Sequence, residues 1–505
     1  MVVARCRIGA IAAFPRTARS GGAGGLNAIT LELALDPALG ARLPRHPMIA
    51  AARSGPLHGR RWRRVWHDTP AGDLAREGLA LSGGRTGWAL RALHPAPPWM
   101  PGLPVPVLAR AADPAGLGRA LPELLGPAGS AEALERRLEL IHDGAALTLT
   151  TLTGHWQVGA VSRPFGRIGL TGPAPAVAAF VHALAEILLP VTVPVLPLAA
   201  EMAGSGDAPP APRLHERMSV AEGSAHVIAG LATILLTHLA AIGAGAQGEQ
   251  VHQARVTLRR LRAALAAFRP ALAGPEAKTA KAALKALGRR LGPPRDWDVF
   301  AGGTARRLHD IFPEERGVAR LLARVGRRQT AGYATLRDWL AAPEGRCLGI
   351  DLALLLAIRP PSDAEAEQTA LLAVPVEAFG RQRLARQWRR LLAQGEDVSA
   401  LPAETLHKVR LHGKRLRYTA ELFSPLFPGK AARRFLRRLG RLQEVLGEMN
   451  DAIVAGRLVA ELRGPPGVAE AAGLARGLLA GSDDAGRARI ATAWRKLRRA
   501  EPFWE

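Results

Sequence analysis

The chain has 505 residues, long enough for more than one hydrophobic core, and its 68 Lys and Arg outweigh 43 Asp and Glu to give a formal charge of +25. That excess points to a polyanionic partner, with nucleic acid, an anionic membrane and polyphosphate all qualifying. The two cysteines, Cys6 and Cys347, stand far apart with no CxxC or Cys/His cluster, which excludes a disulfide framework and a zinc site.

At the N-terminus Arg5 and Arg7 precede a short apolar run at 8–14 with no cleavage site after it, so residues 1–27 read as the tail of a cytoplasmic protein. Residues 28–200 mix short β-like runs with turn residues, as in an α+β domain. Residues 147–153 alternate apolar side chains with Thr in the manner of a half-buried strand, and 158–161 and 168–170 read as further short strands. Two apolar stretches reach membrane-span length. Pro190, Pro194 and Pro197 cut the one at 174–198, and His226 and His238 flank and interrupt the one at 227–246, so both are expected in the core. Residues 201–218, rich in Gly and Pro, read as a linker, which predicts that 213–505 fold and bind on their own.

Residues 219–500 are dominated by Ala, Leu and Arg at helical spacing and predict an all-α domain. The basic charge concentrates here: residues 1–212 carry a net +6 and residues 213–505 a net +19. The domain contains an internal repeat. His252, Arg255, Arg259, Arg260 and Arg262 recur 155 residues later as His407, Arg410, Lys414, Arg415 and Arg417. The same register joins Phe268 to Phe423, Pro270 to Pro425, Gly274 to Gly429, Leu291-Gly292 to Leu446-Gly447 and Asp296 to Asp451, which predicts two helical units related by a pseudo-two-fold axis.

On a helix, His252, Arg255, Arg259 and Arg262 share a face roughly 80° wide and roughly 15 Å long, and His407, Arg410, Lys414 and Arg417 do the same. Such a stripe suits an extended polyanion. Arg offers a fork of donors matched to phosphate oxygens, Lys a point charge, and His a donor that strengthens on protonation. No nucleophile, paired carboxylate or metal cluster accompanies the cations. A solvated charged face is the ordinary reading of one such helix; its repetition favours binding. Like charges four apart each cost a few tenths of a kcal/mol, which a bound anion would relieve. Few aromatic residues interleave with the cations, Tyr418 excepted, which disfavours specific nucleic-acid recognition. In Arg295-Asp296-Trp297-Asp298 the repeated carboxylate, Asp296, is expected to orient arginines.

These motifs, together with the run from His407 to Tyr418 and Asn450-Asp451, resemble the conserved histidine α-helical domain, or CHAD, family over 219–500. The resemblance implies two helical bundles related by pseudo-symmetry, a basic central surface, binding of inorganic polyphosphate and association with polyphosphate granules, without catalysis. Residues 28–200 in turn resemble a CYTH domain, an antiparallel β-tunnel that hydrolyses triphosphate with a divalent metal. The likeness lies in His67-Asp68-Thr69-Pro70, the stretch from Asp73 to Leu81, and Trp88-Ala89-Leu90-Arg91, with Arg91 where the family has a phosphate-binding Lys. The family's opening Glu-x-Glu-x-Lys is here Leu31-Glu32-Leu33-Ala34-Leu35, Ser82 replaces an Arg, and its late acidic strand reads Arg167 to Gly172. Too few carboxylates remain for a divalent ion.

The expectation is therefore a two-domain protein: an N-terminal α+β antiparallel β-tunnel at 28–200, CYTH-like but degenerate, and a C-terminal all-α pseudo-two-fold pair of helical bundles, CHAD-like, at 219–500. Its expected function is non-catalytic polyphosphate binding through His252, Arg255, Arg259, Arg260, Arg262, His407, Arg410, Lys414, Arg415 and Arg417, with no cofactor, metal, membrane or specific nucleic-acid partner. The alternative is a metal-dependent inorganic triphosphatase using the N-terminal domain.

Overall fold

The computed structural model describes residues 28–505 apart from 41, 84–86, 93–99, 101, 106, 119, 188–191, 194–197, 203–210, 273, 359–365, 463 and 481–482. The N-terminal tail, the three prolines at 190, 194 and 197 and the centre of the linker lie outside the described residues.

The first half builds one antiparallel sheet from β1 (Ala28–Ala34), β2 (His58–Asp68), β3 (Leu79–Gly83), β4 (Trp88–Ala92), β5 (Val107–Ala111), β6 (Gly126–His142), β7 (Ala145–Val158) and β8 (Val161–Pro173), in the spatial order β1-β8-β7-β6-β2-β3-β4-β5. It curls into a half-barrel, with β1 and β5 as its opposite edges among the described residues. The outer side of β1 is occupied: Glu32 N donates to Gly102 O (2.8 Å) and Ala34 N to Thr192 O (2.7 Å). Asp143-Gly144, with φ of 47° and 76°, make the two-residue turn between β6 and β7. Residues 158–161, expected as a strand, are instead the β7/β8 turn, because Val158 pairs with Val161 around Gly159 at φ 55°. The flanking strands run to 14 and 13 residues, longer than their apolar alternation suggests, since ladder pairing carries them through Thr and Gly.

Alternate residues of β1, β6, β7 and β8 (Leu31, Leu33, Leu138, Leu140, Leu149, Ile168, Leu170) are buried on one face, where α4 (Ala174–Ile187) covers them with Val177, Phe180, Val181 and Leu184. Short helices α1 (Pro37–Gly40), α2 (Pro47–Ala52) and α3 (Asp73–Arg76) connect the strands, and α5 (Leu198–Met202) follows α4. The His67-Asp68-Thr69-Pro70 motif has a structural use: Asp68 accepts the backbone amides of Thr69, Leu74 and Ala75 at 2.7–2.9 Å and so caps α3.

The second half is helical: α6 (Val220–Gly243), α7 (Glu249–Ala267), α8 (Pro275–Phe300), α9 (Arg306–Ile311), α10 (Arg316–Ala341), α11 (Pro343–Ala357), α12 (Ala366–Ala373), α13 (Val376–Leu392), α14 (Ala403–Phe423), α15 (Lys430–Glu461), α16 (Pro466–Ala480) and α17 (Asp483–Arg498). The repeat is visible in space as α6-α7-α8 against α13-α14-α15. Its punctuation recurs too: 3-10 turns at Arg269–Ala271 and Ser424–Leu426 lead to Gly274 and Gly429, at φ 127° and 149°, which open α8 and α15 in a conformation that only Gly adopts readily.

The halves join reciprocally, with Val220 N donating to Val374 O and Val376 N to Met218 O, both at 2.9 Å. Phe268 and Phe423 meet edge to face at 5.8 Å, and both pack on Phe379. One contact has exchanged its partners. In the first half Leu258 of α7 lies against Gly288 of α8, whereas in the second Gly413 of α14 lies against the buried Gln443 of α15.

α6 begins with a capping box between Ser219 and Glu222. By length and composition it is apolar enough to cross a membrane, and 67 % of its most apolar window is buried inside the fold. The apolar core runs without a break from the sheet into the helices: β1 and α4 pack on α11, and Val193 fills the space left by Gly102 and Gly349. His182 of α4 bridges the Ala178 carbonyl (2.7 Å) and the Asp351 carboxylate of α11 (2.8 Å). At the end of the linker Leu214 is buried in the same core.

Candidate functional site

α7 and α14 lie side by side, each sinking an apolar stripe, Val251, Ala254, Leu258, Leu261 and Leu265 in one and Leu406, Val409, Leu416 and Ala420 in the other. Burying those stripes turns the intervening cations toward a common space closed by the C-terminal parts of α8 and α15. His252, Arg255, Arg259, Arg410 and Lys414 come together there, close enough for their charges to act on one another.

Arg255 reaches the backbone of α8, donating from Nη1 to the Leu291 (3.1 Å) and Gly292 (3.2 Å) carbonyls. Asp296 stands between Arg255 (3.8 Å) and Arg457 (3.6 Å), and its repeat counterpart Asp451 acts on Arg410, Lys414 and Arg255. Burial raises the Asp296 carboxyl above the usual range, against the pull of Arg255 and Arg457.

The electrostatics are those of a site with more positive charge than it neutralises. Burial, reinforced by Arg410 and Arg259, pushes the Lys414 ammonium down to about 8. Arg410 and Arg255 are lowered by burial, with Arg259 adding to the effect in both, and His252 is lowered by burial and by Arg295. The Nε atoms of Arg259 and Arg410 are buried without a hydrogen-bond partner among the described residues. An unpaired buried donor costs on the order of 1–3 kcal/mol, more when charged, and an anion entering the cluster would repay it.

The other five stripe residues lie elsewhere. Arg260 and Arg417 converge on Glu421, at 4.0 and 2.8 Å. Arg262 turns toward α8 beside Gly288, and His407 and Arg415 are exposed. Helical spacing alone placed Arg262 and Arg417 on the binding face; the neighbouring Glu421 and the packing against α8 divide that face.

Sequence reasoning missed Arg457, which has no cationic counterpart in the first repeat. It read the repeated carboxylate, Asp296, as orienting arginines, and its contacts with Arg255 and Arg457 agree. Asp298 accepts from Tyr333 Oη (2.7 Å) and Gln329 (3.0 Å), and Tyr333 Oη accepts the Gly248 amide (2.7 Å) at the start of α7. Burial and the bond to Asp298 push Tyr333 up to about 12.

A second group of cations sits on the sheet. Arg91 donates to Ser82 Oγ (2.9 Å), and burial beside Arg64 and Arg110 lowers Arg91 to about 10. Glu32 lies 3.6 Å from Arg167, and Glu135 makes a two-point bond with Arg60. Among the described residues no three His, Cys, Asp or Glu side chains gather as a metal site. Arg137 is paired with Glu139 (2.9 Å) and Arg136 lies 3.5 Å from the Thr153 hydroxyl, as ordinary surface arginines do.

Residues 227–460, which include both basic helices and the carboxylates that end α8 and α15, match the CHAD domain family. The helical half carries a CHAD domain. Among solved structures, the CHAD domain from the plant Ricinus communis is 29 % identical with a TM-score of 0.49, over 58 % of this chain and 96 % of that one. PptA from Streptomyces chartreusis is 20 % identical with a TM-score of 0.41, over 55 % and 99 %. No curated protein matches. The half-barrel preceding the CHAD domain is compatible with a CYTH-like tunnel.

Proposed function

We propose that this protein binds inorganic polyphosphate non-catalytically in the cluster between α7 and α14. The observation that carries the reading is the convergence of Arg255, Arg259, Arg410 and Lys414 from two repeats into one partly buried space, with two guanidinium Nε donors unpaired. A run of phosphates supplies repeated oxyanions at short spacing, so one ligand neutralises cations from both helices at once. The match of residues 227–460 to the CHAD family, a resemblance that implies polyphosphate binding, supports the same ligand, and with it a place on polyphosphate granules in the cytoplasm.

The N-terminal half-barrel then acts as a non-catalytic companion. Its Glu32 and Glu135 lie against arginines, an arrangement that favours structural ion pairs over metal ligation. The direct test is a titration of the full chain with polyphosphates of defined length. Nanomolar to micromolar binding that Arg259→Ala with Lys414→Ala weakens by more than tenfold is expected. Phosphate release from triphosphate with magnesium or manganese, abolished by Glu32→Gln, would overturn the non-catalytic reading.

A further inference from the structure

The first three turns of α15 carry a cationic surface that the central cluster does not use. Residues 430–441 hold six cations, Lys430, Arg433, Arg434, Arg437, Arg438 and Arg441, and no acid. Ala432, Phe435 and Leu439 are buried, so the cations occupy the opposite, outer face. Arg434, Arg437, Arg438 and Arg441 line a shallow groove with Ala493 and Lys496 of α17. Arg438 donates to the Arg499 carbonyl (3.1 Å) and Arg441 to Glu444 (2.6 Å), which fixes two of the six and leaves the groove strongly positive.

This charge is not a general property of the repeat. At the matching positions the first half has Pro275, Lys278, Thr279, Ala282, Ala283 and Ala286, one cation in place of six. Adjacent cations at i,i+3 and i,i+4 along these turns repel by a few tenths of a kcal/mol per pair, and residues 430–441 hold no acid, Glu444 of the next turn offsetting only the last of them, Arg441. Such a surface is stabilised by a partner that brings dense negative charge. Among the described residues Phe435 and Trp494 are buried and offer no ring for base stacking, and Leu436, which lines a shallow groove with Lys430, Arg433, Arg434 and Arg437, is half-buried against the core and gives a lipid bilayer a single small apolar contact. The chemistry that remains is a flexible polyanion without bases or acyl chains.

We propose that the outer face of α15, with α17, is a second polyphosphate-binding track, present in the second repeat alone. It rests on the reading of the central cluster as a polyphosphate site. Arg437 and Asp451 are 14 residues apart on α15, roughly 21 Å along the axis, so a short oligophosphate occupies one site and a long chain reaches both. Holding one chain at two places raises its effective local concentration, so affinity should climb steeply once the chain spans the gap.

The test is calorimetric titration of the full chain with a short oligophosphate, for the wild type, Arg433→Ser/Arg434→Ser/Arg437→Ser, and Arg410→Ala/Lys414→Ala. The proposal expects two oligophosphates bound per wild-type chain and one in either variant, with the outer variant also losing at least tenfold in affinity for long chains. If the central reading alone fails, the wild type binds one oligophosphate and the outer variant none. If the outer track fails, one site remains that the central variant alone removes. Hydrogen exchange on the wild type keeps the question open to refutation should the triple variant unfold: amides of 430–441 should slow on adding oligophosphate, and unchanged exchange there overturns the proposal. So does an outer variant that loses binding of single-stranded RNA but keeps two oligophosphates.

Discussion

Lys414 differs from an ordinary surface lysine because closing α14 against α7 removes water from its ammonium while Arg410 and Arg259 stay near it. With its folded value at about 8 against an ordinary 10.5, the unfolded chain holds more protons between those two pH values. By linkage, this group's contribution to stability of the unliganded protein rises as pH goes from about 8 to 10.5, while polyphosphate affinity falls over the same range as the cation is lost. Denaturant titrations and binding isotherms at pH 7, 8, 9 and 10 check both signs. Lys414→Arg should flatten the pH dependence of binding, since guanidinium stays charged throughout.

The repeat makes a further residue-scale prediction. Arg255→Ala/Arg259→Ala and Arg410→Ala/Lys414→Ala should weaken the same binding event to similar extents, each reducing the steepness of affinity against salt by roughly 1.4 on log–log axes, taking about 0.7 per neutralised charge from single-stranded nucleic acids. Melting temperature should hold or rise in Arg410→Ala/Lys414→Ala as repulsion is relieved, while in Arg255→Ala/Arg259→Ala that relief is offset by loss of the Arg255 bonds to the Leu291 and Gly292 carbonyls. Wild-type affinity and salt dependence in either folded double variant would return the stripes to the status of a solvated surface.

At the scale of elements, α7 on α8 and α14 on α15 solve one packing problem in opposite ways. Leu258 lies against Gly288 at ordinary contact distance, whereas Gln443 needs Gly413, where a Cβ would collide with its amide. Gly413→Leu alone therefore overfills the contact and should cost about 1–3 kcal/mol. Adding Gln443→Gly recreates the first-half pair and should recover most of that loss, a coupling that a double-mutant cycle in urea would read directly. Gln443 is buried with neither amide atom hydrogen-bonded among the described residues, so Gln443→Met should stabilise by about 1 kcal/mol.

The whole molecule is organised around a core shared by sheet and helices. Cutting at residue 213 would leave α11 with Leu348, Leu352 and Leu355 but without α4 and β1 against them. A 213–505 fragment is therefore expected to keep its helical circular dichroism yet melt below the full chain and self-associate, as light scattering would show. In the intact chain His182→Ala removes the partner of the largely buried Asp351 carboxylate and should lower stability by about 1–3 kcal/mol, whereas His182→Ala with Asp351→Leu should lose less. Equal losses in the single and double variants would mean that the pair contributes nothing to the junction.

What the sequence determined by itself is whatever period and repetition encode. The helical class of 219–500, the 155-residue repeat, the glycines that open α8 and α15 and the identity of the central cations are all local, since apolar spacing and a φ that only Gly adopts leave marks in consecutive residues. The Asp143-Gly144 turn has the same character. Tertiary structure decided which cations meet. Arg260 and Arg417 share the sequence texture of Arg259 and Lys414, yet Glu421 draws them away, and Arg457 enters from a turn of α15 that has no basic counterpart in the first repeat. The sheet's half-barrel form and the continuous core likewise depend on contacts between distant segments, such as β1 with β8 and α4 with α11, which no local pattern carries. Burial, which gives Lys414 its titration and leaves the Arg259 and Arg410 donors unpaired, exists only once the two halves close on each other.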